Sequence, residues 1–190
     1  LKGKARIEYP VDLLNKLQIN FYVVVGYKKE EITKKLGENV AYVQQKGPSG
    51  TGGAVLAVLP YLFPKTTDVL VMFGDHSFFY SLDLIKKMLL VHQKNRSSVT
   101  ALVVKTKFPS GYGRVIRGKD GTISAITEEK NLTSEQKKIS EVATGLYCFA
   151  VEFLRKYKDK LRKHSSTGEY YLSDFVEIAK NAGQTISEVN

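Results

Sequence analysis

Apolar positions recur at intervals of three and four residues over Ile7, Pro10, Val11, Leu14 and Leu17, which predicts a helix from Arg6 to Gln18. The run Asn20 to Tyr27 is β-branched and aromatic without alternation, the pattern of a strand covered on both faces. Lys28 to Leu36 reads as a helix stopped by Gly37. The alternation then continues with a strand from Val40 to Gln45, a helix from Gly52 to Leu62 and a buried strand from Asp68 to Asp75. A helix beginning at Ser81 or Leu82 and running to about Asn95 precedes a strand from Ser98 to Lys105. Strands alternating with helices predict an α/β fold with a Rossmann-like, mostly parallel sheet flanked by helices.

After Lys107 the pattern changes. Gly113 to Arg117 and Thr122 to Glu128 are short strands around Gly118-Lys119-Asp120-Gly121, whose Asp-Gly pair signals a hairpin, so a small antiparallel excursion is expected. Glu141 to Phe149 returns as a strand, followed by a basic helix from Val151 to His164, a polar turn over Ser165 to Gly168 and a last helix from Leu172 to Asn181. Neither an internal repeat nor a low-complexity linker interrupts the chain, so residues 1–190 are expected to form a single domain.

Composition narrows the setting. The 190 residues include a single cysteine, Cys148, which can form neither an internal disulfide nor a zinc site. No apolar run approaches the roughly 18–20 residues that span a bilayer, and a cytoplasmic protein without membrane contact is expected. Twenty-nine Lys and Arg against 19 Asp and Glu give a formal net charge of +10, which favours anionic ligands such as nucleotides and phosphorylated metabolites. Arg155, Lys156, Lys158, Lys160, Arg162 and Lys163 gather on one helix whose other side carries Val151, Leu154, Tyr157 and Leu161. That is the solvated face of an amphipathic helix, and nucleic acid is not an expected partner.

Three stretches can carry chemistry. Gln44 to Ala54 holds Gly47, Gly50, Gly52 and Gly53 between a strand and a helix, where backbone amides can approach a phosphate or base, although a plain helix-capping turn gives the same pattern. It matches neither the P-loop nor the dinucleotide fingerprint. Phe73-Gly74-Asp75-His76 ends a strand, at the carboxyl edge where α/β sheets bind ligands, and Asp75 is placed either to hold Mg²⁺ against phosphates or to cap the next helix. His76 is not expected to be a ligand, since hard Mg²⁺ prefers oxygen. Ser110-Gly111-Tyr112-Gly113-Arg114 and Glu128-Glu129-Lys130 flank the hairpin; there a carboxylate can accept from sugar hydroxyls and a lysine can neutralise phosphate.

Taken in order, Gly3-Lys4, Gln45, Ser49-Gly50-Thr51-Gly52, Phe73-Gly74-Asp75, Gly111-Tyr112-Gly113-Arg114, Glu128-x-Lys130, Glu141 to Gly145 and Gly168 to Asp174 resemble the bacterial N-acetylglucosamine-1-phosphate uridyltransferases over nearly the whole chain. The resemblance implies the nucleotide-diphospho-sugar transferase fold and Mg²⁺-assisted in-line attack of a sugar-1-phosphate on the α-phosphorus of UTP. It further implies that Gln45, Gly50 and Thr51 recognise uracil beside Phe73 and Gly74, and that Asp75 ligates the metal. Gly113 and Glu128 would face the sugar, with Lys130 near a phosphate or the sugar and the Gly168 to Asp174 turn on the sugar side.

The chain departs from the family at Ala143, where an asparagine is usual, at Phe73, where tyrosine is common, and at Asn131, where an aspartate normally follows the lysine. The family also begins with a buried strand and a glycine-rich loop carrying an arginine and a lysine, and supplies a second metal ligand from a later asparagine. Both are expected to be missing from these 190 residues, as is the hexapeptide-repeat acetyltransferase domain of the bifunctional enzymes. Two other readings stay open at this stage: another sugar-1-phosphate nucleotidyltransferase, for instance one using glucose-1-phosphate, and a non-catalytic nucleotide-sugar-binding module. The sequence leaves the oligomeric state open.

Overall fold

In the computed structural model, which describes residues 3–190, the chain runs α1 (Glu8–Leu17), β1 (Tyr22–Val25), α2 (Lys29–Leu36), β2 (Ala41–Gln44), α3 (Gly50–Val58), β3 (Asp68–Met72) and α4 (Leu82–Lys94). It continues through β4 (Val99–Lys105), β5 (Gly113–Arg117), β6 (Ile123–Thr127), β7 (Glu141–Ala150), α5 (Val151–Tyr157), α6 (Asp174–Asn181) and β8 (Ile186–Val189). The first two residues of the expected 1–190 domain lie outside the described ones. Local signals act where they were expected: the Ser81 hydroxyl caps α4 by accepting from the Leu84 N–H at 3.1 Å. Gly121, at φ +76°, turns the β5–β6 hairpin.

β7 organises the larger sheet. β4 runs antiparallel along one of its edges, while the other edge is shared by β3, opposite Leu146–Ala150, and β5, opposite Ala143 and Val142. β8 extends the sheet beyond β4 in parallel, and β6 closes the far side beyond β5. The α/β class and the hairpin excursion agree with the sequence. The sheet, however, is mixed rather than mostly parallel, because β4 reaches β7 through a hairpin and short turns instead of a helical crossover, so β7 returns against β4.

β1 and β2 form a separate parallel pair. Among the described residues, β1 pairs only with β2 and β3 only with β7, which leaves each with an open edge. This accounts for their burial: β3 is half-buried along its whole length, and in β1 only Val23 and Val25 are buried, although both segments read from sequence as strands covered on both faces.

Two layers of helix bury the larger sheet. Phe153 and Leu154 of α5 and Phe175, Val176 and Ala179 of α6 pack with Tyr147 and Phe149 of β7. Ile85 and Met88 of α4, joined by Leu13 and Leu17 of α1, cover Leu146 and Leu102. Cys148 is fully buried and burial pushes its thiol up to about 12, which leaves it inert at neutral pH.

The basic segment is shorter as a helix than its pattern predicts. α5 ends at Tyr157, a single 3₁₀ turn follows over Lys158–Lys160, and Leu161 is extended. Leu161 is 3% exposed and so close to Gly52 that a Cβ there would lie 2.8 Å from its Cδ2; this packing overrides the helical periodicity and turns the chain towards the glycine loop.

Candidate active site

The loop between β2 and α3 is held from both ends. The Gln45 side-chain amide donates to Ser49 Oγ at 2.6 Å and to the Gly50 carbonyl at 2.9 Å, which directs its carbonyl end away from the loop. The same loop is stitched to the segment after Gly168: the Tyr170 N–H donates to the Ser49 carbonyl at 3.0 Å, the Gly52 N–H to the Tyr170 carbonyl at 2.9 Å, and the Leu172 N–H to Thr51 Oγ1 at 3.0 Å. Gly50 adopts φ +73°, and a Cβ on it would stand 2.5 Å from the Tyr170 carbonyl oxygen. Only glycine meets both conditions.

Phe73 and Gly74 follow β3, and the Phe73 N–H donates to the Gly145 carbonyl at 3.1 Å. β7 slips register beside this point, Ala143 facing Val103 while Tyr147 faces Ala101, with Gly145 at φ +80° under the Phe73 ring. Tyr80 fixes the same bulge by donating to the Thr144 carbonyl at 2.5 Å. The Ser77 hydroxyl donates to the Phe73 carbonyl and closes the turn that presents Asp75. The Asp75 side chain is 64% exposed, and its carboxylate lies 3.9 Å from His76 Nδ1. The His76 ring in turn sits 5.3 Å from that of Tyr112.

On the hairpin side, Arg114 is 1% exposed, donates to the Tyr112 carbonyl, and places Nη1 2.8 Å from Glu129 Oε2. The charges meet without hydrogen-bond alignment, since Arg114 Nε and Glu129 Oε2 have no hydrogen-bond partner. The pair ties the Gly111–Gly113 bend to the Glu128–Lys130 segment. Glu128 accepts from Ser173 Oγ at 2.8 Å, and burial holds its carboxyl above the usual range, with Asp174 adding to the shift. A Cβ on Gly113 would come within 3.7 Å of Glu128 Oε1, so the glycine leaves space beside that carboxylate.

A raised carboxyl pKa in the folded protein means that folding favours the protonated form. The stability it contributes is complete below the ordinary glutamate pKa and is lost as pH rises through the folded value. Glu128→Gln is therefore expected to raise stability at neutral pH, with the gain fading below the ordinary carboxylate range. Urea denaturation of both proteins at several pH values checks it; a neutral or destabilising substitution at pH 7 contradicts it.

These groups meet in one cleft of about 440 Å³, lined by Gln45, Gly50, Thr51, Phe73, Glu128 and Lys130 together with Ala54, Gly111, Glu129, Glu169 and Tyr171. Gly74, Asp75 and Gly113 do not line it: Gly74 packs towards Ile7, Gly113 faces Ile126 beside Glu128, and Asp75 is exposed after β3. The turn expected on the sugar side contributes Glu169 and Tyr171 to the cleft, while its Tyr170 backbone belongs to the glycine loop. Sequence reading missed Ser173 as the partner of Glu128, and His164, whose ring reaches Asn131, Asp174 and Tyr171. Their separations of 7 to 45 residues leave no local pattern, although a histidine beside a polar turn was visible.

The chemistry of the donors can be tested against a divalent cation. Among the described residues no three His, Cys, Asp or Glu side chains converge on one point. A hard cation bound mainly through phosphate oxygens and water needs only one or two carboxylates, and the exposed Asp75 carboxylate fits that demand. Among the described residues no helix is long and apolar enough to cross a membrane.

The bifunctional protein GlmU of Bacillus licheniformis is 36% identical over 186 residues, which cover 97% of this chain and 41% of that protein. Its namesake in Thermoanaerobacter pseudethanolicus is 37% identical over 180 residues, 94% of this chain and 39% of the relative. The chain thus spans about 41% of the length of the first of these curated relatives. A crystal structure of UDP-glucose pyrophosphorylase complexed with UDP-glucose superposes with a TM-score of 0.75 at 16% identity, covering 97% of this chain and 78% of that one, a likeness of fold. The nucleotidyl transferase family model matches residues 2–190, and the chain belongs to that family.

Proposed function

We propose that this chain forms the substrate-binding body of a sugar-1-phosphate nucleotidyltransferase, with UTP and N-acetylglucosamine-1-phosphate as substrates and UDP-N-acetylglucosamine and pyrophosphate as products. The observation that carries the reading is the single cleft shared by the glycine-loop residues Gln45, Gly50 and Thr51 and by Glu128 and Lys130 of the hairpin side. Family membership supports the same reaction class.

In this reading the Gln45 carbonyl and the Gly50–Thr51 backbone hold the base, while the Glu128 carboxylate accepts from the sugar. Lys130 offsets phosphate charge. A phosphate oxygen of the sugar phosphate attacks the α-phosphorus of UTP; the bond to the bridging oxygen breaks, and pyrophosphate departs with that oxygen and its electron pair. Positioning and charge neutralisation are the chief demands of such a step. Mg²⁺, when bound at Asp75, would supply neutralisation of the phosphates.

The open edges of β1 and β3 support a further element of the proposal: that the working enzyme has another buried strand, with the family's glycine-rich triphosphate loop attached. Residues 1–190 alone are then expected to bind nucleotide-sugar without turnover, and robust turnover by them would contradict this part.

Ala143 favours a second reading of the acceptor. It is 6% exposed and pairs with Gly113 beside Glu128, and an alanine there offers no amide to an N-acetyl sugar. A panel of UTP, dTTP, CTP and ATP against N-acetylglucosamine-1-phosphate and glucose-1-phosphate, run with the full gene product, separates the two. Preference for UTP with the N-acetyl sugar is expected; preference for glucose-1-phosphate moves the assignment to the second reading, and binding of UDP-sugars without any turnover makes the protein a binding module.

A further inference from the structure

Two cleft segments, 128–131 and 167–174, are distant in sequence and meet at His164. Its Nε2 lies 2.7 Å from Asp174 Oδ2, its Nδ1 lies 3.1 Å from the Asn131 side-chain nitrogen, and its ring stacks on Tyr171 with centroids 4.2 Å apart. The main chain adds three bonds, from the His164 N–H to the Glu169 carbonyl at 2.9 Å and from the Thr167 and Gly168 N–H groups to the His164 carbonyl at 3.3 and 2.7 Å. Asn131 follows Lys130 directly, and Asp174 follows Ser173, the donor to Glu128.

We propose that His164 is a positioning residue for the sugar phosphate: by holding Asn131 and Asp174 together, its imidazole fixes Glu128 and Lys130 against the Tyr171 turn. The inference rests on the nucleotidyltransferase reading of this cleft. The glycine loop does not depend on His164, since Tyr170 and Leu172 bind it through their own backbone. Loss of the imidazole therefore acts on the sugar phosphate and spares the nucleotide. The His164 and Asp174 side chains are 31% and 25% exposed, and the effect assigned to their contact is geometric.

Asn131 gives the clamp a distinctive chemistry. An ionised Asp174 only accepts, so Nε2 carries a proton, and the Asn131 amide can meet Nδ1 with either its NH₂ or its carbonyl. The contact then holds whether the imidazole is neutral or protonated. A carboxylate at 131 only accepts and needs a protonated Nδ1. The charged or titratable groups facing His164 are Asp174 from α6, Glu128 after β6, and the Tyr171 ring.

Steady-state kinetics of the full gene product with His164→Ala and Asn131→Asp test the proposal. His164→Ala is expected to raise KM for the sugar phosphate about tenfold, the equivalent of one lost hydrogen bond, with KM for UTP unchanged. Asn131→Asp, which removes the NH₂ that meets Nδ1, is expected to raise the same sugar-phosphate KM. Unchanged sugar-phosphate KM in His164→Ala, or an equal rise for both substrates, overturns the proposal. Amide hydrogen exchange without substrate separates this from failure of the functional reading. Faster exchange of 128–131 and 173–175 in His164→Ala, with Tyr170 and Leu172 unchanged, in a protein inactive with every sugar phosphate, keeps the clamp and rejects the function; unchanged exchange of 128–131 and 173–175 rejects the clamp.

Discussion

Replacing Asp75 by alanine is expected to reduce turnover of the full gene product about 10³-fold, the order of effect seen when a preorganised electrostatic group is removed from a transferring centre. Its side chain is 64% exposed and its carboxylate lies 3.9 Å from His76 Nδ1, so its removal opens no gap in the core. Unfolding free energy is accordingly expected to change by less than about 0.5 kcal/mol. The combination is informative, because a folded, nucleotide-binding and inactive protein places Asp75 in the chemistry. Pyrophosphate release measured beside a urea denaturation curve checks both halves. A rate within about twofold of wild type would remove Asp75 from the reaction and assign neutralisation of the phosphates to other groups.

Gly50→Ala is expected to have the largest structural effect. The residue sits at φ +73°, and the new Cβ would stand 2.5 Å from the Tyr170 carbonyl oxygen and 2.8 Å from Glu169 Cβ. Neither can yield easily, since that carbonyl accepts from the Gly52 N–H and the Tyr170 N–H is bound to Ser49. Left-handed backbone strain of about 1 kcal/mol and an overlap of about 1–3 kcal/mol give a destabilisation of roughly 3 kcal/mol. Gly47→Ala isolates the first contribution, because Gly47 has φ +69° in the same loop and nothing within 4 Å of its added Cβ. Urea midpoints should fall slightly for Gly47→Ala and severely for Gly50→Ala, with uridine nucleotide affinity following the second. Equal effects would mean that the close approach to Tyr170 is not limiting.

How far such features can be read from sequence depends on the range of the interaction. The cap at Ser81 and the Asp120-Gly121 turn act within a few residues and could be read directly. The direction of β7 could not, because a uniformly apolar run such as Leu146 to Phe149 is equally suited to parallel or antiparallel neighbours, and only its connection decides. β8 escaped notice because four residues, Ile186 to Val189, are too short for a periodic signal; they are strand because β4 offers its edge. The helix expected to reach His164 stops early because Leu161 packs against Gly52, a contact more than 100 residues long in sequence.

The candidate site divides the same way. Gln45, Gly50, Thr51, Glu128 and Lys130, which line the cleft, sit at loop punctuation and strand ends and could be picked out as candidates; Asp75 and Gly113, picked out on the same grounds, lie outside its lining. What holds them, including Arg114 against Glu129, Ser173 on Glu128 and Tyr170 on the glycine loop, comes from packing between distant segments.

The reaction assigned to the cleft joins UTP to N-acetylglucosamine-1-phosphate. The most direct measurement is pyrophosphate release by the full gene product given UTP, Mg²⁺ and N-acetylglucosamine-1-phosphate, with formation of the UDP-sugar followed in the same sample. Equal amounts of pyrophosphate and UDP-N-acetylglucosamine, each requiring both substrates, are expected. Release of pyrophosphate without the sugar phosphate, or no product from any sugar-1-phosphate and nucleoside triphosphate pair, would contradict it.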